Sequence, residues 1–156
     1  MKRIALLLVA ALAFGCSNDN NNDLDDFLDA RITPVPGTIE WRAHLVSLDQ
    51  ALGINGDATV VEVVNEAAFT ASITIRNDVV GAIRPWHVHF GTCATGGAIV
   101  GEDAAYPRLQ VGADGAATVN VMIRVGLDPA LAYHINVHKS DAEFNTIIAC
   151  GDMILQ

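Results

Sequence analysis

Apolar and polar residues alternate with a period of two along most of this chain from residue 38 onward. The alternation is clearest over residues 71–76, where Ala, Ile and Ile are interleaved with Ser, Thr and Arg. This spacing is typical of half-buried strands. The predicted strands cover 38–48, 58–65, 69–76, 83–90, 98–100, 108–111, 116–125, 132–138 and 146–155. The pattern predicts an all-β fold, a Greek-key β-sandwich or barrel of about eight antiparallel strands.

Turn-forming residues separate these segments and suggest how some of them connect. Glycine, asparagine and aspartate occur at 53–56, 77–78, 96–97 and 114–115. The dipeptide Asp114-Gly115 lies between two predicted strands, and such a dipeptide is a strong signal for a β-hairpin.

The first fifteen residues have the pattern of a signal peptide. Lys2 and Arg3 precede an apolar run that ends at Phe14, and Gly15 stands directly before Cys16. The run has about half of the roughly 20 residues needed to cross a bilayer. The sequence therefore predicts a bacterial lipoprotein signal at 1–15 and lipidation of Cys16. Ordinary secretion with an incidental Cys16 is the alternative.

The remaining chain divides into a tether and one domain. Residues 16–37 are rich in Asp and Asn and contain two prolines, which predicts a solvated spacer. Residues 38–156 are long enough for one domain and its core. The net charge of the whole chain is −9, and the chain without residues 1–15 has seven basic and eighteen acidic residues. This balance excludes nucleic acid as an expected partner and leaves membrane anchoring to the lipid.

Four of the five histidines lie in two short segments, and their spacing predicts a metal site. His87 and His89 are two residues apart, as are His134, Asn136 and His138, so each set lies on one face of its strand. Two such rows on neighbouring strands would form a nitrogen-rich patch suited to copper or zinc. Asn136 could orient a ring by hydrogen bonding. Buried histidines bonded to backbone carbonyls, without a metal, are the alternative.

Two further histidines are candidates for a fourth ligand. His134 lies four residues from His138, about 13 Å along an extended strand, so it requires a bend or bulge. His44 is on a separate early strand. Among the acidic residues, Glu102 and Asp103 are interpreted as solvated loop charges, and a contribution of one of them as a metal ligand is the alternative.

Cys93 and Cys150 are the two cysteines outside the N-terminal segment. In an oxidising compartment the default is a disulfide, which here would close a loop of nearly 60 residues. A thiolate metal ligand beside the histidines is the alternative.

These motifs, in their order along the chain, resemble the copper/zinc superoxide dismutase family. The resemblance rests on His87-Val88-His89-Phe90-Gly91 before Cys93, on Val137-His138, and on Ala149-Cys150-Gly151. The segment 132–138 also resembles the signature of chordin-type (CHRD) domains. The resemblance implies a superoxide dismutase-like Greek-key barrel in which His87, His89 and His138 are copper ligands. It also implies that Cys93 and Cys150 form the disulfide.

Three departures from the dismutase pattern bear on activity. The stretch from Ala94 to Leu109 contains no histidine, so the bridging ligand and the zinc ligands of the family have no counterpart. Ile147 stands where the family has an arginine that attracts superoxide, and the segment between His138 and Cys150 is short. The resemblance therefore implies copper binding without zinc and without dismutase catalysis.

We therefore expect a lipid-anchored protein of the bacterial cell envelope, at the outer membrane and facing the periplasm or the cell surface. Its expected function is to bind copper for storage, buffering or delivery to a copper-trafficking or surface protein. A metal-free chordin-type interaction module is the first alternative. A copper-only, superoxide dismutase-like oxidoreductase is the second.

Overall fold

A computed structural model describes residues 38–48, 52–63 and 65–156 of the chain. The predicted signal peptide, the tether and the lipidated Cys16 lie outside these residues and stay predictions. Over the described part of the chain, no helix is long and apolar enough to cross a membrane.

The described residues form nine strands and one short 3₁₀ helix. The helix covers Asp103–Ala105. The strands are β1 (Thr38–Ser47), β2 (Asn55–Val63), β3 (Ala68–Arg76), β4 (Ile83–Arg84), β5 (Trp86–Phe90), β6 (Leu109–Gln110), β7 (Ala117–Ile123), β8 (Tyr133–His138) and β9 (Ile147–Leu155). The predicted all-β class is confirmed.

Seven strands make one antiparallel sheet in the order β5-β8-β9-β1-β2-β3-β7, and β4 pairs with β6 in a separate ribbon. Neighbours in the large sheet are often distant in sequence, since β8 pairs with β5 and β7 pairs with β3. Such crossed connections between antiparallel strands are those of the predicted Greek-key arrangement.

Alternation of side chains places the core on one face of β1 to β3. Trp41, Ala43 and Leu45 of β1 are buried, while the residues between them are exposed. The strands β5 and β8 differ, because every residue of β8 and four of the five in β5 are buried. Polar side chains on these two strands are therefore enclosed by the protein.

Two local predictions differ from the structure. The segment 98–100 forms only an isolated bridge between Ile99 and His89. Residues 114–115 do form a turn, in which Gly115 has a φ of +73° that favours glycine. The strands that flank this turn belong to different sheets, however, so they do not form a hairpin. A turn signal reports local backbone geometry, whereas strand pairing depends on distant partners.

Candidate metal centre

The pairing of β5 with β8 brings the two histidine rows together. His89 lies opposite His134, and His87 lies opposite Asn136. Strand alternation turns the other residues, such as Trp86 and Tyr133, to the opposite face, where both are buried. The histidine face thus becomes a buried polar layer.

Three of these histidines converge. His87, His89 and His138 each offer one ring nitrogen, and these atoms all lie within 4.8 Å of one another. The three residues are at most 6% exposed. Nδ1 of His87 lies 3.1 Å from Nε2 of His138. With metal–nitrogen bonds of about 2.0–2.1 Å, this separation corresponds to an angle of about 100° at the metal. The cluster can hold a metal ion.

Hydrogen bonds fix which nitrogen of two of the rings faces the centre of the cluster. Nε2 of His87 lies 2.7 Å from a carboxylate oxygen of Asp103, and Nδ1 of His89 lies 3.0 Å from the carbonyl oxygen of Gly97. Both oxygens accept, so both of these nitrogens carry hydrogen. The lone pairs are then at Nδ1 of His87 and Nε2 of His89. Such outer hydrogen bonds are the usual means of orienting histidine ligands.

The layer also contains buried polar atoms without hydrogen-bond partners. They include Nε2 of His89 and Nδ1 of His134. An unsatisfied buried polar group costs about 1–3 kcal/mol. For His89, a metal ion at the centre of the cluster would remove this cost.

Burial keeps the rings neutral. It lowers the pKa of His87 to about 4, against the opposing effect of the Asp103 hydrogen bond. Burial also lowers the pKa of His89 and of His138. Neutral imidazole is the form that binds metals, so protons do not compete for these nitrogens at neutral pH.

Asp103 has a role that the sequence did not predict, because it orients a histidine ring instead of being a solvated loop charge or a metal ligand. Its carboxylate accepts two hydrogen bonds from Arg108, at 2.8 and 3.2 Å, besides the one from His87. The Arg108 hydrogen bonds, with that of His87, lower the pKa of Asp103 to about 2. The residue is thus an oriented anion and not a free loop charge. Nothing local in the sequence marks it, since sixteen residues separate it from His87.

Neither candidate for a fourth ligand belongs to the triad of converging nitrogens formed by His87, His89 and His138. The ring of His134 stacks on that of His89, with 5.2 Å between ring centroids, and its Nε2 lies 3.3 Å from Nδ2 of Asn136. Asn136 thus contacts the ring of His134, which is not one of the three converging histidines. His44 has a side chain that is 71% exposed and pairs with Asp57.

Cys93 and Cys150 form a disulfide with Cα atoms 6.0 Å apart. The disulfide prediction is confirmed, and the thiolate alternative is wrong because both sulfurs are used in the bond. The backbone N–H of Cys93 also donates to Asp152 of β9. These links hold the turn at 91–97 against the sheet, and this turn supplies the carbonyl of Gly97 to His89.

A cleft of about 340 Å³ reaches His89 and His138 from the surface. Phe144 forms part of its wall and stacks on the ring of His138, with 4.5 Å between centroids and 7° between planes. The ten residues that line the cleft include no lysine, arginine or carboxylate. The cleft therefore gives the rings of His89 and His138 an uncharged surrounding on this side of the cluster.

Comparisons with known proteins found no protein-family model that matches the chain. They also found no curated protein with a related sequence.

Proposed function

We propose that this protein binds one copper ion through His87, His89 and His138. The observation that carries the proposal is the convergence of three buried ring nitrogens within 4.8 Å. The hydrogen bonds that His87 and His89 donate to Asp103 and to the carbonyl of Gly97 support it, because they leave the lone pairs of the two rings on the side of the cluster.

The chemistry of the donors favours copper. All three are imidazoles, which suit copper, zinc, iron and nickel, and copper binds most tightly in the general affinity order. Cys93 and Cys150 are joined in a disulfide, and the carboxylate of Asp103 accepts hydrogen bonds from Arg108. The resemblance to copper ligands of the dismutase family points the same way, while the family's zinc ligands have no counterpart here.

We do not expect dismutase catalysis. That reaction needs a positive field that attracts an anion. Ile147 lines the cleft at the position where the dismutases have arginine, and the chain is strongly acidic. The nearby cations are engaged, since Arg108 pairs with Asp103 and Lys139 pairs with Glu143.

We further propose that the protein is a lipoprotein of the bacterial envelope that stores copper or delivers it to a trafficking or surface protein. The basic, apolar and cysteine pattern of residues 1–16 supports this location. Mass spectrometry of the native protein should find a lipidated N-terminal Cys16. The variant Cys16→Ser should leave the membrane fraction.

Copper titration tests the binding proposal. The chain from residue 16 with Cys16→Ser has no free thiol, and we expect it to bind one Cu(II) with a Kd below about 1 µM. The double variant His87→Ala/His138→Ala should lose this binding. His44→Ala is the matched control, since that histidine is exposed. Calorimetry gives the stoichiometry and electron paramagnetic resonance (EPR) gives the nitrogen ligation.

One observation favours a second candidate, a metal-free interaction module of chordin type. His87 is already hydrogen-bonded at both ring nitrogens, to His138 and to Asp103. Binding no tighter than about 1 µM, or binding that survives the double substitution, would support the module and contradict the copper proposal.

A third hypothesis is a copper-only oxidoreductase, and the observation that favours it is the cleft beside His89. A redox assay of the loaded protein tests it.

A further inference from the structure

An almost fully buried ion pair lies beside the metal centre. The side chain of Asp78 is 0% exposed and that of Arg84 is 9% exposed. Arg84 donates from Nε and Nη2 to the two carboxylate oxygens of Asp78, at 2.7 and 2.6 Å. This two-pronged contact fixes the plane of the guanidinium group.

The remaining guanidinium nitrogen of Arg84 contacts the backbone directly after β8, the strand that ends at His138. Its Nη1 donates to the backbone carbonyl of Lys139, the residue after His138. The N–H of His138 itself donates to the carbonyl of Pro85, the residue after Arg84, at 2.8 Å. Arg84 and Pro85 thus hold the backbone N–H of His138 and the backbone carbonyl of Lys139, one on each side of the His138 side chain.

These contacts act where strand pairing is irregular. The register of β8 with β9 shifts between Val137 and His138. The regular ladder therefore does not by itself fix His138. Arg84 ends β4 and lies three residues before His87, so its guanidinium group links the segment just before β5 to the residue that follows β8.

We propose that Arg84 and Asp78 are positioning residues of the metal centre, which set the separation between the rings of His87 and His138. The role in metal binding rests on the copper proposal above. A buried ion pair is weak evidence that it stabilises the fold, because apolar residues of similar size can often replace it without lowering the free energy of unfolding. A directional contact to the Lys139 carbonyl is what an apolar replacement cannot supply.

Two variants test whether the ion pair positions the histidine rings or only stabilises the fold. Asp78→Leu/Arg84→Met removes both charges together, so no unpaired charge is left buried. Arg84→Lys keeps the positive charge and removes the paired hydrogen bonds that Arg84 donates to the two oxygens of Asp78. This variant replaces the double variant in the experiment if the double variant does not fold. Each is compared with the unsubstituted chain in copper titration and in the EPR spectrum of Cu(II). We expect a 10–100-fold weaker affinity and an altered copper hyperfine splitting.

Ile73→Val controls for destabilisation alone. Ile73 is a buried residue of β3, which is separated from β8 in the sheet by β9, β1 and β2. Its Cu(II) spectrum should match that of the unsubstituted chain although the variant unfolds more easily. If the Arg84 variants keep the original affinity and spectrum, or if Ile73→Val changes the spectrum equally, the positioning role is overturned.

A metal-free readout distinguishes this proposal from the copper proposal. Long-range proton–nitrogen NMR spectra of the apo protein report the hydrogen bond between Nδ1 of His87 and Nε2 of His138. We expect these ring signals to shift in the Arg84 variants and to stay in place in Ile73→Val. Absence of copper binding by the unsubstituted chain would overturn the proposed function alone. Unshifted ring signals would overturn the positioning role alone.

Discussion

At the scale of single residues, the centre depends on which ring nitrogens keep their lone pairs. Asp103 fixes this for His87, and the carbonyl of Gly97 fixes it for His89. Neither partner is a metal ligand in our proposal. Each restricts a ring to one tautomer, and a ligand held in its binding tautomer needs no rearrangement when the metal arrives.

The substitution Asp103→Asn tests the role of this carboxylate. The amide keeps the size of the side chain and removes the charge, so His87 loses its strong acceptor. We expect copper affinity to fall 10–100-fold, measured by competition against a chelator of known affinity.

Asp141→Asn is the matched control for that experiment. Asp141 also pairs with Arg108, at 2.9 Å, but its side chain is 62% exposed. Its removal should change affinity less than about threefold, as expected for an exposed ion pair. Equal affinities of the two variants would contradict a specific role of Asp103.

At the scale of elements, the disulfide connects the turn at 91–97 to β9 across 57 residues of sequence. Closing a long loop stabilises the folded state mainly by restricting the unfolded chain. The same bond lies only four residues from Gly97, whose carbonyl orients His89. The disulfide therefore both stabilises the domain and fixes the turn whose carbonyl orients His89.

We expect Cys93→Ala/Cys150→Ala to lower the free energy of unfolding by about 2–4 kcal/mol. Denaturant titration of the metal-free protein measures this change. An unchanged unfolding midpoint would show that contacts such as the one between Cys93 N–H and Asp152 hold the turn without the bond.

At the scale of the whole molecule, three buried neutral histidines make stability depend on pH. In the unfolded chain each titrates near its ordinary pKa of 6.5, whereas the pKa of His87 in the folded protein is about 4. Between these values the unfolded state binds protons that the folded state does not. Stability is therefore full above about pH 6.5 and falls as the pH decreases toward 4.

We predict that the metal-free protein is less stable at pH 5 than at pH 7.5, by about 2 kcal/mol from His87 alone. Carboxylates with lowered pKa, such as Asp103, are ionised in both states over this range and do not contribute. Denaturant titrations at the two pH values measure the difference, and His87→Asn should reduce it. A stability that is constant, or higher at pH 5, would contradict the buried neutral state.

Parts of the centre could be predicted from sequence because they follow from local periodicity. Side chains two residues apart share a strand face, so the rows of β5 and β8 were predictable from residue order. The partners that orient them were not. Asp103 comes from a 3₁₀ helix and Arg84 from a two-residue strand, and neither element has a period that a pattern could reveal.

The sequence by itself determined the β class, the faces on which the histidines lie and the expected pairing of Cys93 with Cys150. Only the tertiary structure decided that β5 would lie beside β8 and that His134 would stack on His89 instead of joining the triad of converging nitrogens. The physical reason is the range of the forces involved. Backbone geometry fixes the direction of a side chain from its immediate neighbours. Which distant groups meet it depends on how strands that are far apart in the sequence pack together, and no local pattern specifies that packing.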